Sequence, residues 1–347
     1  MKKAQADCLI ITSNENICYL TGFTGHDSWL VVSNRCATLV TDSRYTEQAK
    51  GECVGCKIFE RSGSISKAAA KIVGDKKSIA TVGVEDTMSV ATLKIIKKEF
   101  SVKVNPVSNI VESVRRIKDD NEIKAVQKAA KISYECLFET LGRLKTGISE
   151  SDLAGILEFE MRKRGAIKFF DTIICFGPNA SRNHHQPGSR KLKKNDSILI
   201  DFGAKVDSYG CDITRSFSVG KPTPMYEKVW FTVKKAQQAA IDAIGPGVKM
   251  CDVDKICRDV IAQAGLPVYG HGTGHGLGLE VHESPRISKE SGDVFLPGDI
   301  LTVEPGIYMP GKLGVRIEDD VLVTETGHKI LSSDNKFGFS GPDMCVL

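Results

Sequence analysis

Residues 199–217 read LIDFGAKVDSYGCDITRSF. Asp201 closes an apolar run, SILI, and Asp212 follows eleven residues later. That spacing suits two adjacent antiparallel strands with a turn near 207–210, so the two carboxylates can converge on one point. A second pair of acids repeats the arrangement. Glu304 in TVEPGIY (302–308) and Glu318 in VRIEDD (315–320) lie fourteen residues apart, with Gly311 and Gly314 available for the turn between them.

The repetition extends upstream. TGISESDLAGILEFEMRKRGA begins at Thr146 and PGVKMCDVDKICRDVIAQAGL at Pro246, an offset of 100. Gly147 and Gly247, Asp152 and Asp252, and Gly165 and Gly265 fall at matching places. Each segment reads as a turn, a cap (Ser149 in one, Cys251 or Asp252 in the other) and a helix with an apolar face. KNDSILIDFG (194–203) likewise parallels PGDILTVEPG (297–306). The pattern predicts a duplicated unit of helix plus hairpin.

Four carboxylates at the ends of apolar strands cannot sit together uncompensated, because desolvation and mutual repulsion oppose their ionisation. Arg215 and Arg316 are the local cations, too few even if both point inward. Divalent metals carry two charges each and take oxygen ligands, and histidine can complete the shell. The chain has seven histidines. His184 and His185 adjoin in ASRNHHQPG, and His271, His275 and His282 lie in HGTGHGLGLEVHE (271–283). Glycines around His275 permit close backbone approach, which makes it the best histidine ligand. His184 and His282 suit proton transfer or hydrogen bonding to substrate. HGTGHG has neither the GK[ST] of a phosphate loop nor a Rossmann fingerprint.

The 347 residues hold 47 Lys plus Arg against 43 Asp plus Glu, too even a balance to suggest nucleic-acid binding. No apolar run is long enough for a bilayer span or a signal peptide, so no membrane association and a cytoplasmic location are expected. Eleven scattered cysteines fit a reducing compartment, and the Cys53/Cys56 pair reads as chance spacing. CLIIT (8–12), WLVVS (29–33), ATLVT (37–41), IATVGV (79–84) and SVKVNP (101–106) predict strands. Helices are expected from Asp42, with Asp42 or Ser43 as the cap, and over 88–100, an α/β pattern. His26 and Asp27 read as a turn or, alternatively, as a polar edge facing a partner or a substrate end. The pattern breaks near 106–120, which divides the chain into 1–112 and 113–347. A long helix then starts within RRIKDDNEI, with its apolar face on Ile123, Val126, Ala130, Leu137, Leu141 and Leu144, and is expected to stop at Gly147.

With these motifs in hand, the chain resembles the pita-bread metallopeptidases, the family of Xaa-Pro aminopeptidases, prolidases and methionine aminopeptidases. The amino-terminal part, with ICYLTGFTG and TLVTDSRY, is similar to the smaller domain that precedes the catalytic one in creatinase, prolidase and aminopeptidase P relatives. The resemblance implies an α+β pita-bread domain with pseudo-twofold helix–hairpin units behind a smaller α/β domain. It implies two divalent ions (Mn, Co, Zn or Fe). Asp201 would hold one, Asp212 and Glu318 would bridge, and His275 and Glu304 would complete the other site. His184 and His282 match the histidines that handle substrate, Glu304 the proton carrier and Arg316 the residue ordering the last ligand. His271 is a lesser substrate-site candidate. A homodimer acting on proline-containing peptides is also implied. Xaa-Pro aminopeptidase is the preferred activity and Xaa-Pro dipeptidase the alternative. A non-enzymatic peptide-binding module on the same fold is disfavoured because all five ligand positions are filled.

Overall fold

The computed structural model describes residues 5–75, 78–333, 336–339, 341 and 343–347. Contacts divide the chain into two compact units, Met1–Arg115 and Arg116–Leu347.

The first unit is a six-stranded mixed sheet flanked by helices. Its elements run β1 (Cys8–Ile11), α1 (Asn14–Thr21), β2 (Trp29–Ser33), β3 (Ala37–Thr41), α2 (Thr46–Glu52), β4 (Cys56–Glu60), α3 (Ile65–Gly74), β5 (Thr81–Glu85), α4 (Val90–Glu99), β6 (Lys103–Val107) and the short α5 (Glu112–Arg115). The strand order is β4-β3-β2-β1-β5-β6. Meander β1–β2–β3 is antiparallel, and the helix-linked neighbours β3/β4, β1/β5 and β5/β6 are parallel. Apolar residues on the two faces feed separate clusters, one around Ile10, Val31 and Ile96, the other around Ile11, Phe23 and Leu39.

Two boundaries differ from the sequence expectation. Helix α2 begins at Thr46, because the Asp42 carboxylate accepts from Arg44 and Arg61 and does not cap it. Pro106 lies inside β6, at the sheet edge, where its missing N–H costs no ladder bond. His26 hydrogen-bonds Asn14 and Asp27 pairs with Arg44.

The second unit shows the duplication directly. Its first half holds α6 (Asp120–Leu141), α7 (Glu150–Lys163), β7 (Ile167–Lys168), β8 (Ile173–Phe176), a 3-10 turn (Gly177–Ser181), β9 (Ser197–Phe202), β10 (Ala204–Val206), β11 (Tyr209–Gly210) and β12 (Ile213–Ser218). Its second half holds α8 (Pro224–Asp242), α9 (Met250–Gln263), β13 (Gly274–Gly276), β14 (Glu283–Ile287), β15 (Ile300–Val303), β16 (Gly306–Met309), β17 (Leu313–Arg316), β18 (Asp319–Val323) and β19 (His328–Ile330). In each half two helices cover a curved antiparallel sheet, β12-β9-β8 or β14-β13-β15-β18-β19. Each half has its own apolar core. Leu153, Leu157 and Met161 of α7 meet Ile198, Ile200 and Phe217, while Val253, Cys257 and Ile261 of α9 belong to the cluster of Leu301, Val303 and Val321. Burying each such aliphatic side chain contributes about 1.5–3 kcal/mol. An isolated antiparallel bridge, Thr214↔Glu318, joins the halves.

Local sequence sets the ends of these elements. Asp119 with Glu122 and Ser149 with Asp152 form capping boxes at α6 and α7. The long helix ends at Leu141, before the expected Gly147. Gly142 N–H closes on Phe138 O, and tighter turns at Arg143 and Leu144 take over. Lys249 precedes α9, not Cys251 or Asp252. Asp207 and Ser208 both take positive φ, as a two-residue hairpin between β10 and β11 demands. The turn between β16 and β17 uses Gly311, at φ 68°. Gly314 instead sits in β17, where a Cβ would lie 1.8 Å from Ala180 O.

Candidate active site

Asp201 lies in β9 opposite Thr214 of β12, and Asp212 immediately precedes β12. Glu304 follows β15, and Glu318 stands between β17 and β18. The bridge Thr214↔Glu318 therefore brings the ends of the two hairpins together. His275 enters from β13. A Cβ on Gly274 would fall 1.9 Å from Thr302 O, and one on Gly276 2.6 Å from Ser284 O, so only glycine lets this strand pass.

Ligand atoms of Asp212, His275 and Glu318 all lie within 4.8 Å of one another, a grouping able to hold a metal ion. His275 Nδ1 is 3.1 Å from Gly276 O and donates to it. Its Nε2 therefore carries the lone pair, and it faces Glu304 Oε1 at 3.5 Å and Asp212 Oδ2 at 3.8 Å. Burial, helped by His282 and Arg286, pushes the His275 pKa down to about 4, so the imidazole is neutral at pH 7. An imidazole lone pair facing ionised carboxylates is repulsive unless a cation or a shared proton lies between them.

The carboxylates tell the same story. Burial, followed by Glu318 and Asp201, pushes Asp212 well above its usual range. Burial, followed by Glu304 and Asp201, does the same to Glu318. Glu304 is pushed up to about 7, chiefly by burial. Asp201 Oδ1 and Asp212 Oδ1 are buried with no hydrogen-bond partner. Arg316 gives its Nη2 to Asp201 Oδ2 at 2.5 Å and its Nε to Thr214 Oγ1, which itself donates to Glu318 Oε2 at 2.6 Å. Arg215 turns away, to the backbone oxygens of Thr214 and Glu318 and to the Asp319 carboxylate. One guanidinium thus faces four carboxylates. Orphaned acid oxygens beside one neutral imidazole fit hard divalent cations.

The cleft above this cluster encloses about 770 Å³ and is lined by His184, His271, His282 and Arg286 as well as the acids. His282 packs edge-on against His275, with ring centroids 4.5 Å apart. His271 stands beside the cluster, its Nδ1 3.9 Å from Glu304 Oε2, and is also linked to it through Tyr308. Its Nε2 accepts from Tyr308 Oη at 3.2 Å, and that oxygen accepts from Arg316 Nη1 at 3.0 Å. Sequence reasoning missed Tyr308, Thr214 and Arg286. Thr214 could have been found, since it lies two residues past Asp212 in a strand and shares its face. Arg286 could not, because its place depends on the β13–β14 register, which a bulge after His275 shifts.

Two hairpins folded by pseudo-twofold symmetry around a buried cluster of acids and a histidine define a metal-dependent peptidase of the pita-bread type. Residues 124–325 match the model of metallopeptidase family M24, and residues 1–117 match the creatinase/prolidase N-terminal domain; the chain belongs to this family. It is 32% identical over 341 residues to an Xaa-Pro dipeptidase of Pyrococcus horikoshii, covering 97% of this chain and 95% of the relative. Among solved structures, it is similar to an Xaa-Pro dipeptidase from Bacillus anthracis (TM-score 0.94, 35% identity, 100% of this chain and 96% of the other). It is also similar to an X-Pro aminopeptidase from Thermotoga maritima (TM-score 0.91, 33% identity, 100% and 99%). Among the described residues no helix is long and apolar enough to cross a membrane.

Proposed function

We propose that this chain is an Xaa-Pro dipeptidase whose centre takes two divalent cations. Asp201, Asp212, His275, Glu304 and Glu318 would hold them, with Asp212 and Glu318 shared. Bound there, the cations would offset the carboxylate charge, polarise the scissile carbonyl and acidify a water. His282 and His184, at the cleft, are placed to donate to the carbonyl oxygen as charge develops on it. Glu304 carries the proton to the leaving nitrogen, which must be protonated when it belongs to proline. Arg316, tied to Tyr308 and Thr214, holds Asp201 and Glu318 in register.

The sequence alone favoured the aminopeptidase; similarity to dipeptidases of Bacillus anthracis and Pyrococcus horikoshii favours the alternative. One observation in the cleft supports it. Arg286 stands directly opposite His275 in the β13–β14 ladder, so both side chains share a face. It lines the cleft, and no acid among the described residues pairs with it. A dipeptide places its free carboxylate one residue from the scissile bond, within reach of such a guanidinium. Rates on Ala-Pro, Ala-Pro-amide and Ala-Pro-Ala test this. Arg286→Ala should raise KM for Ala-Pro by about tenfold to a hundredfold, while leaving Ala-Pro-amide within about twofold. Cleavage of Ala-Pro-Ala as fast as Ala-Pro by the unaltered enzyme would restore the aminopeptidase reading, which similarity to the Thermotoga maritima enzyme keeps in view.

A further inference from the structure

The duplication exposes one residue that the fold does not require. Helices α7 and α9 start in the same way. Gly147 N–H donates to Leu192 O and Glu150 N–H to Arg190 O; in the second half Gly247 donates to Phe295 O and Met250 to Asp293 O. Glu150 and Met250 therefore occupy one structural position, and both are fully buried. Met250 joins the apolar core, as a residue in that position is expected to. A carboxylate in the same place is strongly unfavourable unless donors surround it.

Donors do surround Glu150, and all come from one segment. Oε1 accepts from Phe176 N–H at 2.8 Å and Asn179 Nδ2 at 2.9 Å. Oε2 accepts from His185 Nε2 at 2.8 Å and Gly188 N–H at 3.2 Å. Residues 176–188 contain only a 3-10 turn and loop, so no strand ladder fixes them beyond Phe176. Their base is closed by Arg190, which binds Phe176 O at 2.8 Å and pairs with Asp196. This segment carries His184, which has no such anchor and lies exposed on the cleft. With the neighbouring His185 drawn onto Glu150, His184 is left facing the cleft.

We propose that Glu150 is a positioning residue for the reaction. By binding His185 and the loop backbone, it fixes the place of His184 over the scissile carbonyl. The inference rests on the role assigned to His184 above. A purely structural role for Glu150 predicts lost stability without coupling to His184.

A double-mutant cycle on the metal-loaded enzyme, with Ala-Pro as substrate, separates these outcomes. Glu150→Gln keeps the shape but presents an NH2 group to the donors of Gly188 and His185. It should lower kcat about tenfold or more, with KM changed less than about threefold and bound metal unchanged. In the His184→Ala background the same change should cost no more than about twofold. Equal losses in both backgrounds overturn the role of Glu150 while leaving His184 in place. His184→Ala at the unaltered rate overturns the His184 assignment and this inference together. Should the Glu150 variant fail to fold, His185→Leu removes one donor and runs the same cycle. His185→Gln, which keeps a donor, should return most of the rate; equal rates for the two His185 variants overturn the proposal.

Discussion

Asp212→Asn should lower kcat/KM on Ala-Pro by at least about a thousandfold and reduce bound metal, while the protein stays folded. The residue contributes an oxygen to the Asp212–His275–Glu318 grouping, and its Oδ1 has no other partner. Asparagine preserves shape but removes the charge that a divalent ion needs. The stripped protein carries a second, opposite expectation. There burial, then Glu318 and Asp201, oppose ionisation of Asp212, so at alkaline pH, where its carboxylate is forced to ionise, removing that charge should raise the melting temperature of the metal-free enzyme above that of the unaltered one. Metal analysis by plasma emission and calorimetry in chelator measure both. An Asp212→Asn enzyme with full metal and full rate would contradict the ligand assignment.

Chelation should also make stability fall with pH. In the metal-free protein Glu304 moves from 4.5 to about 7, and Asp212 and Glu318 lie well above their usual range. An acid whose folded pKa is raised favours folding in its protonated form. That contribution is full below about 4.5 and is lost as pH rises through about 7. For Glu304 alone the shift is on the order of 3 kcal/mol, or roughly 5–10 °C in melting temperature. The gain in melting temperature on adding Mn should therefore be small at pH 5 and large at pH 8. A gain independent of pH across that span would mean that the acids are not held together in the way described.

The convergence of the four acids was legible in the sequence because strand ends constrain side chains strongly. Asp201, Asp212, Glu304 and Glu318 each abut an apolar run, and a duplicated run predicts a duplicated position. The helix start at Ser149 was equally readable, since its capping chemistry is local; that at Asp119 was placed only within RRIKDDNEI. What failed was information carried by distant partners. Arg215 looked like a cation for the centre, yet it serves Asp319 and the backbone of Glu318. Asp42 looked like a cap, yet Arg61 from beyond the next strand claims it. Glu150 carried no signal in the sequence, and only the loop folded over it shows its part. Arg286 depends on a bulged register that no periodicity encodes.

The bridge between Thr214 and Glu318 has a consequence for how the molecule holds together. Asp201 and Asp212 belong to one repeat, and His275, Glu304 and Glu318 to the other. Each repeat owns an apolar core, but the Asp212–His275–Glu318 grouping draws on both. Occupancy of the centre is thus a gauge of how well the two repeats are seated. Withdrawing bound metal should unclasp the seam at 214–216 and 316–318 first, visible as faster amide exchange there while both cores remain protected.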